Sequence, residues 1–333
     1  MIHTLYIEEE VAEHPRTQAI CQRYPRATRI YCQRYGEIFN RKAQNFRLQK
    51  KAPSLILARK FKHFVLEAPL SYNIGGQRNF YFSHMLNCVY DCRYCFLQGM
   101  YRSANYVLFV NYEDFDQAIV DTAAAAPDGE SSYFFSGYDC DSLALEPITG
   151  FAKHTLGLFE KHPNAWLELR TKSIQIRELL ARQALANVVV AYSLSPDLLV
   201  RTTEHKTPSL ERRLAAINTL QQHGWTVGLR FDPLIYCADY QSLYRDFFRQ
   251  VFSRIDTSAL HSVSLGSFRM PTGFFRNMVK LYPQEVLFAG PMAQENGMVS
   301  YQHELEAQMF AFCEQQLLTY IPQSIYFPCT DDS

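Results

Sequence analysis

Asn79-Phe80-Tyr81-Phe82-Ser83-His84-Met85-Leu86 reads as a strand, and it runs straight into Asn87-Cys88-Val89-Tyr90-Asp91-Cys92-Arg93-Tyr94-Cys95-Phe96. Three of the nine cysteines fall within eight residues of that second stretch, spaced C-x3-C-x2-C. Three thiolates on one short loop can hold three irons of a cubane [4Fe–4S] cluster and leave the fourth iron open to a small molecule. An electron-transfer cluster wants a fourth cysteine nearby, and structural zinc wants four closed ligands, usually from two C-x2-C pairs. The zinc alternative would have to draw its fourth ligand from His84 or a distant cysteine.

Outward from this loop, apolar runs alternate with amphipathic stretches. Strands are expected at Asn79–Leu86, Ser132–Ser136, Trp166–Arg170, Val188–Ser193, Thr226–Phe231 and Ala259–Leu265. Helices are expected at Glu113–Ala126, Ile148–Lys161, Ser173–Gln183, Ser209–His223 and Tyr240–Arg254. Such alternation implies parallel units with right-handed crossovers, and six of them make an incomplete (β/α)6 TIM-like barrel. Polar residues recur where the strands end, at Ser136 to Asp141, Thr171 and Lys172, Ser193 and Ser195, and Asp232. That rim is where β/α barrels carry their chemistry, and the cysteine loop lies on it.

The expected organisation is a basic N-terminal region (1–75), the barrel (76–270) and a C-terminal extension (271–333). The first region should hold a strand at Thr4–Ile7, helices carrying the basic residues, and an extended piece near Phe64–Leu66. The extension should hold a helix to about Lys280, extended runs at Val286–Ala289 and Met298–Tyr301, and a hairpin turn at Glu295-Asn296-Gly297. A helix at His303–Leu318 and a strand near Ser324–Phe327 should close it.

The 333 residues are 47% hydrophobic and 20% charged, with no net charge, an ordinary globular composition. The early acidic run Glu8-Glu9-Glu10 and the lack of a long apolar run argue against a signal peptide or membrane span, so a cytoplasmic location is expected. An odd cysteine count fits a reducing compartment, with Cys21, Cys32, Cys237, Cys313 and Cys329 as buried thiols. The balanced charge is unevenly spread: basic residues from Arg16 to Lys62 face the single acid Glu37. Tyr24, Tyr31, Tyr35, Phe39 and Phe46 are interleaved with them. A phosphate backbone with stacking contacts, or a solvated face with an aromatic core stripe, would each explain the pattern.

The cysteine spacing, with Tyr94 before the last cysteine, resembles the radical S-adenosylmethionine superfamily. Cys88 through Gln98, Leu169–Lys172, Tyr192–Ser195, Glu204–Glu211 and Gly228–Leu234 together resemble the spore photoproduct lyase family. That resemblance implies a lyase for DNA repair that uses a [4Fe–4S] cluster and S-adenosyl-L-methionine to reverse a thymine–thymine photoproduct through a 5′-deoxyadenosyl radical. It places Cys88, Cys92 and Cys95 on the cluster, and Lys172, Ser193, Ser195, Tyr94 and Phe96 against the cofactor. Cys140, Tyr94 and Tyr138 become the catalytic candidates, damaged duplex DNA the partner, and a flavodoxin or ferredoxin the electron donor. Glu204 and His205 read as residues that shape a loop.

The chain departs from the family at three places. Phe96 stands where the lyases have a tyrosine that helps relay a hydrogen. Tyr138 aligns near the hydrogen-donating cysteine, with Cys140 at a serine position, and the hairpin lacks an arginine–tyrosine pair. Two alternatives stay open: the same scaffold acting on RNA or another DNA lesion, and a metal-stabilised nucleic-acid-binding module without catalysis.

Overall fold

The structure, a computed structural model, describes residues 2–69 and 72–329. Its centre is a curled sheet of six parallel strands hydrogen-bonded in chain order: Arg78–Phe82, Ser132–Ser136, Ala165–Thr171, Val188–Ser193, Thr226–Leu234 and Leu260–Ser267. The short strand Leu66–Glu67 adds antiparallel to the first. Val188–Ser193 is buried along its whole length, as a strand covered on both faces must be. This is the expected incomplete TIM-like barrel with six strands, although the first expected run, Asn79–Leu86, ends at Phe82 and its last residues, Met85–Leu86, pair elsewhere.

The curl brings alternate strands together inside. Glu168 of the third strand is buried against Arg230 of the fifth, whose Nη2 donates to Glu168 Oε2 at 2.6 Å, while Arg170 Nε donates to Oε1 at 2.9 Å. Gly228 makes room, because a Cβ there would lie 2.8 Å from Arg230 Nη2.

Two crossover helices differ from expectation. The helix read at Ile148–Lys161 breaks at Gly150, which adopts φ 59, into Glu146–Thr149 and Phe151–Lys161. The Glu146 carboxylate then accepts from the freed Ala152 and Lys153 amides at 2.7 and 3.0 Å. The helix read at Ser173–Gln183 shrinks to Arg177–Leu180. Thr171 and Ser173 hydroxyls capture the backbone amides of Ser173 and Gln175, at 2.8 and 3.1 Å, in place of helical carbonyls.

The N-terminal region keeps the expected strand at Thr4 and adds others where only helices were expected. Thr28–Cys32, Thr4–Glu8, Leu55–Ala58 and Tyr106–Phe109 form a parallel sheet, and Met85–Leu86 joins its far edge antiparallel. Its helices are Pro15–Arg23 and Phe46–Lys51, with Arg29 on an exposed edge strand. Phe39 and Phe46 are buried, and Tyr35 packs on Phe39 and Phe109. Of the interleaved aromatics, Tyr31 is the exposed one, at 55%.

In the tail, Val286–Ala289 forms a 3-10 turn instead of an extended run. Met292–Glu295 and Met298–Tyr301 form the expected hairpin, with Asn296 and Gly297 at φ 48 and 79. Helix His303–Leu317 follows. The expected last strand is a 3-10 turn at Gln323–Ile325 and then a single bridge from Tyr326 to Val263. The amides of Phe327 and Cys329 donate to Val263 and Leu265, covering the open edge of the sixth strand. Among the described residues no helix is long and apolar enough to cross a membrane.

Burial opposes ionisation of Glu168, but Arg230 and Arg170 win and hold its carboxyl at about 2. A carboxyl lowered in the fold stabilises it above the unfolded value and loses that contribution as pH falls to the folded one. Glu168→Gln is therefore expected to cost about 3 kcal/mol near neutrality, from the size of the shift. In urea denaturation the gap to the parent should close between about pH 4.5 and 2; a gap constant across that window would refute the pairing.

Candidate active site

The cysteine loop is held from four sides. Asn87, at φ 68, turns the chain out of Met85–Leu86, and its Nδ2 donates to the Ser103 and Asn105 carbonyls at 2.7 and 2.8 Å. Lys50, buried in the N-terminal region, gives its ammonium to the Cys88 and Tyr90 carbonyls at 3.3 and 3.0 Å. Gln98 Nε2 donates to the Cys92 carbonyl at 2.6 Å. Asp91–Cys92 pairs antiparallel with Glu204–His205, whose far end leads into helix Leu210–Gln222.

Glu204, expected only to shape a loop, is the hub of this arrangement. Its buried carboxylate accepts from the Tyr94 hydroxyl, from Ser195 Oγ at 3.1 Å and from Arg213 Nη2. Burial alone would raise its pKa, yet Arg213 and Lys172 hold it below the usual carboxylate range. Burial likewise pushes Lys172 down, but Glu204 and Cys92 keep its ammonium above the ordinary lysine value. The Lys172 Nζ lies 5.5 Å from the centre of the Tyr94 ring.

A cavity of about 620 Å³ opens on this loop. Cys88, Cys92, Cys95, Tyr94, Phe96, Tyr138, Cys140, Lys172 and Ser193 all line it. Ser195 does not; its hydroxyl serves Glu204 behind the wall. Asp141, at the end of the second strand, orders the rim: it accepts from Thr171 Oγ1 at 2.6 Å and from the Lys172, Leu143 and Ala144 amides at 2.7, 3.0 and 2.9 Å. Gly137 is required there, since it adopts φ 88 and a Cβ would meet Ser142 Oγ at 2.7 Å and the Arg170 carbonyl at 2.9 Å. Part of the wall is aromatic. Tyr138 stacks on Tyr81 at 4.4 Å and touches Tyr72 and Phe96, with centroids 5.8 and 5.9 Å away.

Burial pushes the Cys88 thiol up to about 12, and Cys92 and Cys95 are raised as well, so three thiolates need a positive group among them. Among the described residues, no three His, Cys, Asp or Glu side chains are gathered as a ligand set for a single ion. His84, the possible fourth zinc ligand, stacks flat on Phe151 at 3.6 Å and does not line the cavity. Three thiols on a cavity with room beside them fit a cubane cluster with one open iron better than closed zinc.

Sequence reasoning missed Arg213 and Arg269, and it gave no part of their own to Lys50 in the basic segment or Arg170 in Leu169–Lys172, because their contacts are distant in the chain. Glu204 sat in a stretch already singled out, but nothing in its spacing gave it a partner.

A model of the family described as spore photoproduct lyase matches residues 76–288. Among curated proteins, the spore photoproduct lyase of Clostridium acetobutylicum is 24% identical over 210 residues, 62% of this chain and 61% of that protein. The spore photoproduct lyase of Bacillus subtilis is 23% identical over 179 residues, 53% and 52% of the two chains. The matched stretches thus span less than two thirds of either relative. Among solved structures, a spore photoproduct lyase double mutant with bound AdoMet and dinucleoside spore photoproduct has a TM-score of 0.86 at 15% identity, covering 99% of this chain and 98% of that one. Another spore photoproduct lyase structure, complexed with dinucleoside spore photoproduct, gives 0.84 at 15% identity over the same shares.

Removing Glu204 would leave Arg213 buried without its countercharge. Glu204→Ala is expected to cost about 3–5 kcal/mol in chemical denaturation and to lower iron retained per chain after reconstitution. A loss below about 1 kcal/mol, the scale of a surface pair, would show that the hub does not hold the loop.

Proposed function

The chain belongs to the spore photoproduct lyase family, and from that membership we propose that it is a radical S-adenosylmethionine lyase that repairs a thymine-dimer lesion in DNA. The observation that carries this reading is the single cavity onto which three cysteines, Lys172, Ser193 and Cys140 converge. Cys88, Cys92 and Cys95 would hold a [4Fe–4S] cluster, and Lys172 and Ser193 on the facing strand ends would hold S-adenosylmethionine. When bound, these groups supply hydrogen abstraction by a radical; everything else falls to the protein.

Tyr94, tied to Glu204, fixes the last cysteine, and Lys172 presents a charge that Glu204 and Cys92 sustain. Cys140 is buried, and burial raises its pKa well above the thiol value, so it keeps its S–H at neutral pH, as a hydrogen donor must. Phe96 has no hydroxyl to relay a hydrogen, but it packs on Tyr138, which carries one. The barrel rim does the chemistry in this division of labour, while the N-terminal region and C-terminal extension flank it. The exposed arginines Arg23, Arg26 and Arg29 offer a surface for the phosphates of duplex DNA. A flavodoxin or ferredoxin would deliver the electron, and nine free cysteines suit the cytoplasm.

A second reading, another lesion or an RNA on the same scaffold, draws on Phe96 and on a hairpin whose tip is Asn296-Gly297. One anaerobic assay separates the two: reconstituted protein, reductant, S-adenosylmethionine and DNA containing spore photoproduct, with thymine and 5′-deoxyadenosine quantified together. Restored thymine supports the lyase; 5′-deoxyadenosine without repair favours the second reading. Cys140→Ala is expected to keep S-adenosylmethionine cleavage on lesion DNA and to yield aberrant thymine products. Clean repair by that variant would remove Cys140 from the mechanism. Neutralising Arg23, Arg26 and Arg29 should weaken DNA binding and flatten the dependence of log K on log salt by about 0.9 for each lost phosphate contact; an unaltered slope would take the phosphates elsewhere.

A further inference from the structure

Helix Phe46–Lys51 of the N-terminal region has two sides with different duties. Phe46 and Lys50, four residues apart, are buried together, and Lys50 Nζ donates to the Cys88 and Tyr90 carbonyls at 3.3 and 3.0 Å. Arg47, Leu48 and Lys51 share the other side and are exposed, Leu48 to 60%. What separates this outer side from the backbone of the first loop cysteine is one helix, about 10–12 Å thick.

Two neighbouring segments widen the exposed face. The Arg102 amide donates to Asn40 Oδ1 at 2.7 Å and the Ala104 amide to Gln49 Oε1 at 2.9 Å, so the chain that follows the cysteine loop lies against this region. At the C-terminal end of the helix, Lys206 Nζ donates to the Lys50 carbonyl at 3.0 Å. Together with Arg41 and Lys42, which follow Asn40, these segments gather six exposed cations about Leu48: Arg41, Lys42, Arg47, Lys51, Arg102 and Lys206. The sequence holds no acid between Glu37 and Glu67 to offset them. Elsewhere Arg16, Arg59 and Arg93 are paired with Glu113, Glu10 and Asp91, whereas none of these six forms an ion pair among the described residues. None of them lines the cavity either.

We propose that this face docks the one-electron donor, a small acidic flavoprotein of the flavodoxin class, on the outer side of the cysteine loop. The inference rests on the reading of the three cysteines as a cluster site, and it adds where the electron enters. Electron transfer through protein falls off steeply with distance, and a flavin seated over Leu48 has one helix to cross. Unpaired cations around a small apolar centre match a donor with carboxylates around its flavin edge, and they speed the encounter. In the transfer the donor's flavin hydroquinone is oxidised by one electron and the cluster is reduced by it; no bond forms or breaks, and the proton on the flavin stays there. A protein fits this face better than duplex DNA does, because an apolar centre offers nothing to phosphates and the lesion must reach a cavity that none of the six residues lines.

The test uses cluster-loaded protein under anaerobic conditions. Purified flavodoxin, reduced to its hydroquinone, is mixed with it by stopped flow; flavin absorbance reports electron loss, and electron paramagnetic resonance counts reduced clusters. Arg47→Glu combined with Lys51→Glu is expected to slow the transfer about tenfold or more at low salt. The gap to the parent should narrow as salt is raised. Reduction by dithionite, which needs no docking, should keep its rate, and the cluster absorption spectrum should be unchanged because Lys50 still holds the loop. If that variant loads no cluster, Lys42→Glu combined with Arg102→Glu, both outside the helix, should slow the transfer in the same sense. No transfer from flavodoxin to the parent, an unaltered rate in the charge-reversed variants, or equal slowing with dithionite would overturn the proposal. A loss of duplex-DNA affinity larger than the loss of transfer rate would overturn it too, and would give the face to nucleic acid. A chain reduced through this face that restores no thymine would fail as a lyase while the docking site stood; thymine restored with dithionite while flavodoxin stays inert would do the reverse.

Discussion

One buried carboxylate, that of Glu204, joins the parts on which the site depends. It accepts from Tyr94 on the cysteine loop, from Ser195 beyond the fourth strand and from Arg213 on the helix that follows. Rim loops of β/α barrels are ordinarily the mobile part of the fold. Here the loop is paired as a strand with Glu204–His205 and pinned through Tyr94 as well. The ions involved are out of water, where an unpaired charge is costly and a satisfied network holds one geometry. Lys172 takes its electrostatic character from the same group, so the position of the cysteines and the charge facing them are set together.

The interior of the incomplete barrel repeats this logic one layer down. Glu168 and Arg230 are buried between the third and fifth strands with half-buried Arg170 joined to them, and Arg170 continues outward to the Tyr72 hydroxyl at the cavity. A sheet that does not close leaves room in its core for polar side chains, provided each finds a partner. Where the cavity begins, the pairing becomes selective. Asp141 is fully occupied in shaping the rim, while Ser267 Oγ is buried there without a partner.

The N-terminal sheet takes part in the site from behind. Two of its strands, Met85–Leu86 and Tyr106–Phe109, come from the chain on either side of the cysteine loop, and Lys50 reaches across to cap two loop carbonyls. The region's positive charge thus has two uses: one lysine is structural and buried, and the arginines near the exposed edge strand face solvent.

Much of this was legible in the residues alone. The C-x3-C-x2-C spacing, the six apolar runs at strand length and the Asn-Gly turn are local signals, and each acts over a few neighbouring residues. The strand ends could be located because polar residues interrupt the apolar runs there, which placed Lys172, Ser193 and Cys140 on one rim. Other features were settled only by tertiary contacts. Side-chain oxygens of Thr171 and Ser173 diverted an expected helix, and the apolar run Leu55–Ala58 drew the basic region into a sheet. Burial assigned Phe39 and Phe46 to packing and not to stacking contacts. Ser195 and Glu204 exchanged importance because hydrogen bonds between residues as far apart as Tyr94 and Glu204 carry no periodicity to read. Short-range pattern determines which elements form; the partner of a buried charge is chosen only when the folded chain brings distant residues within bonding distance.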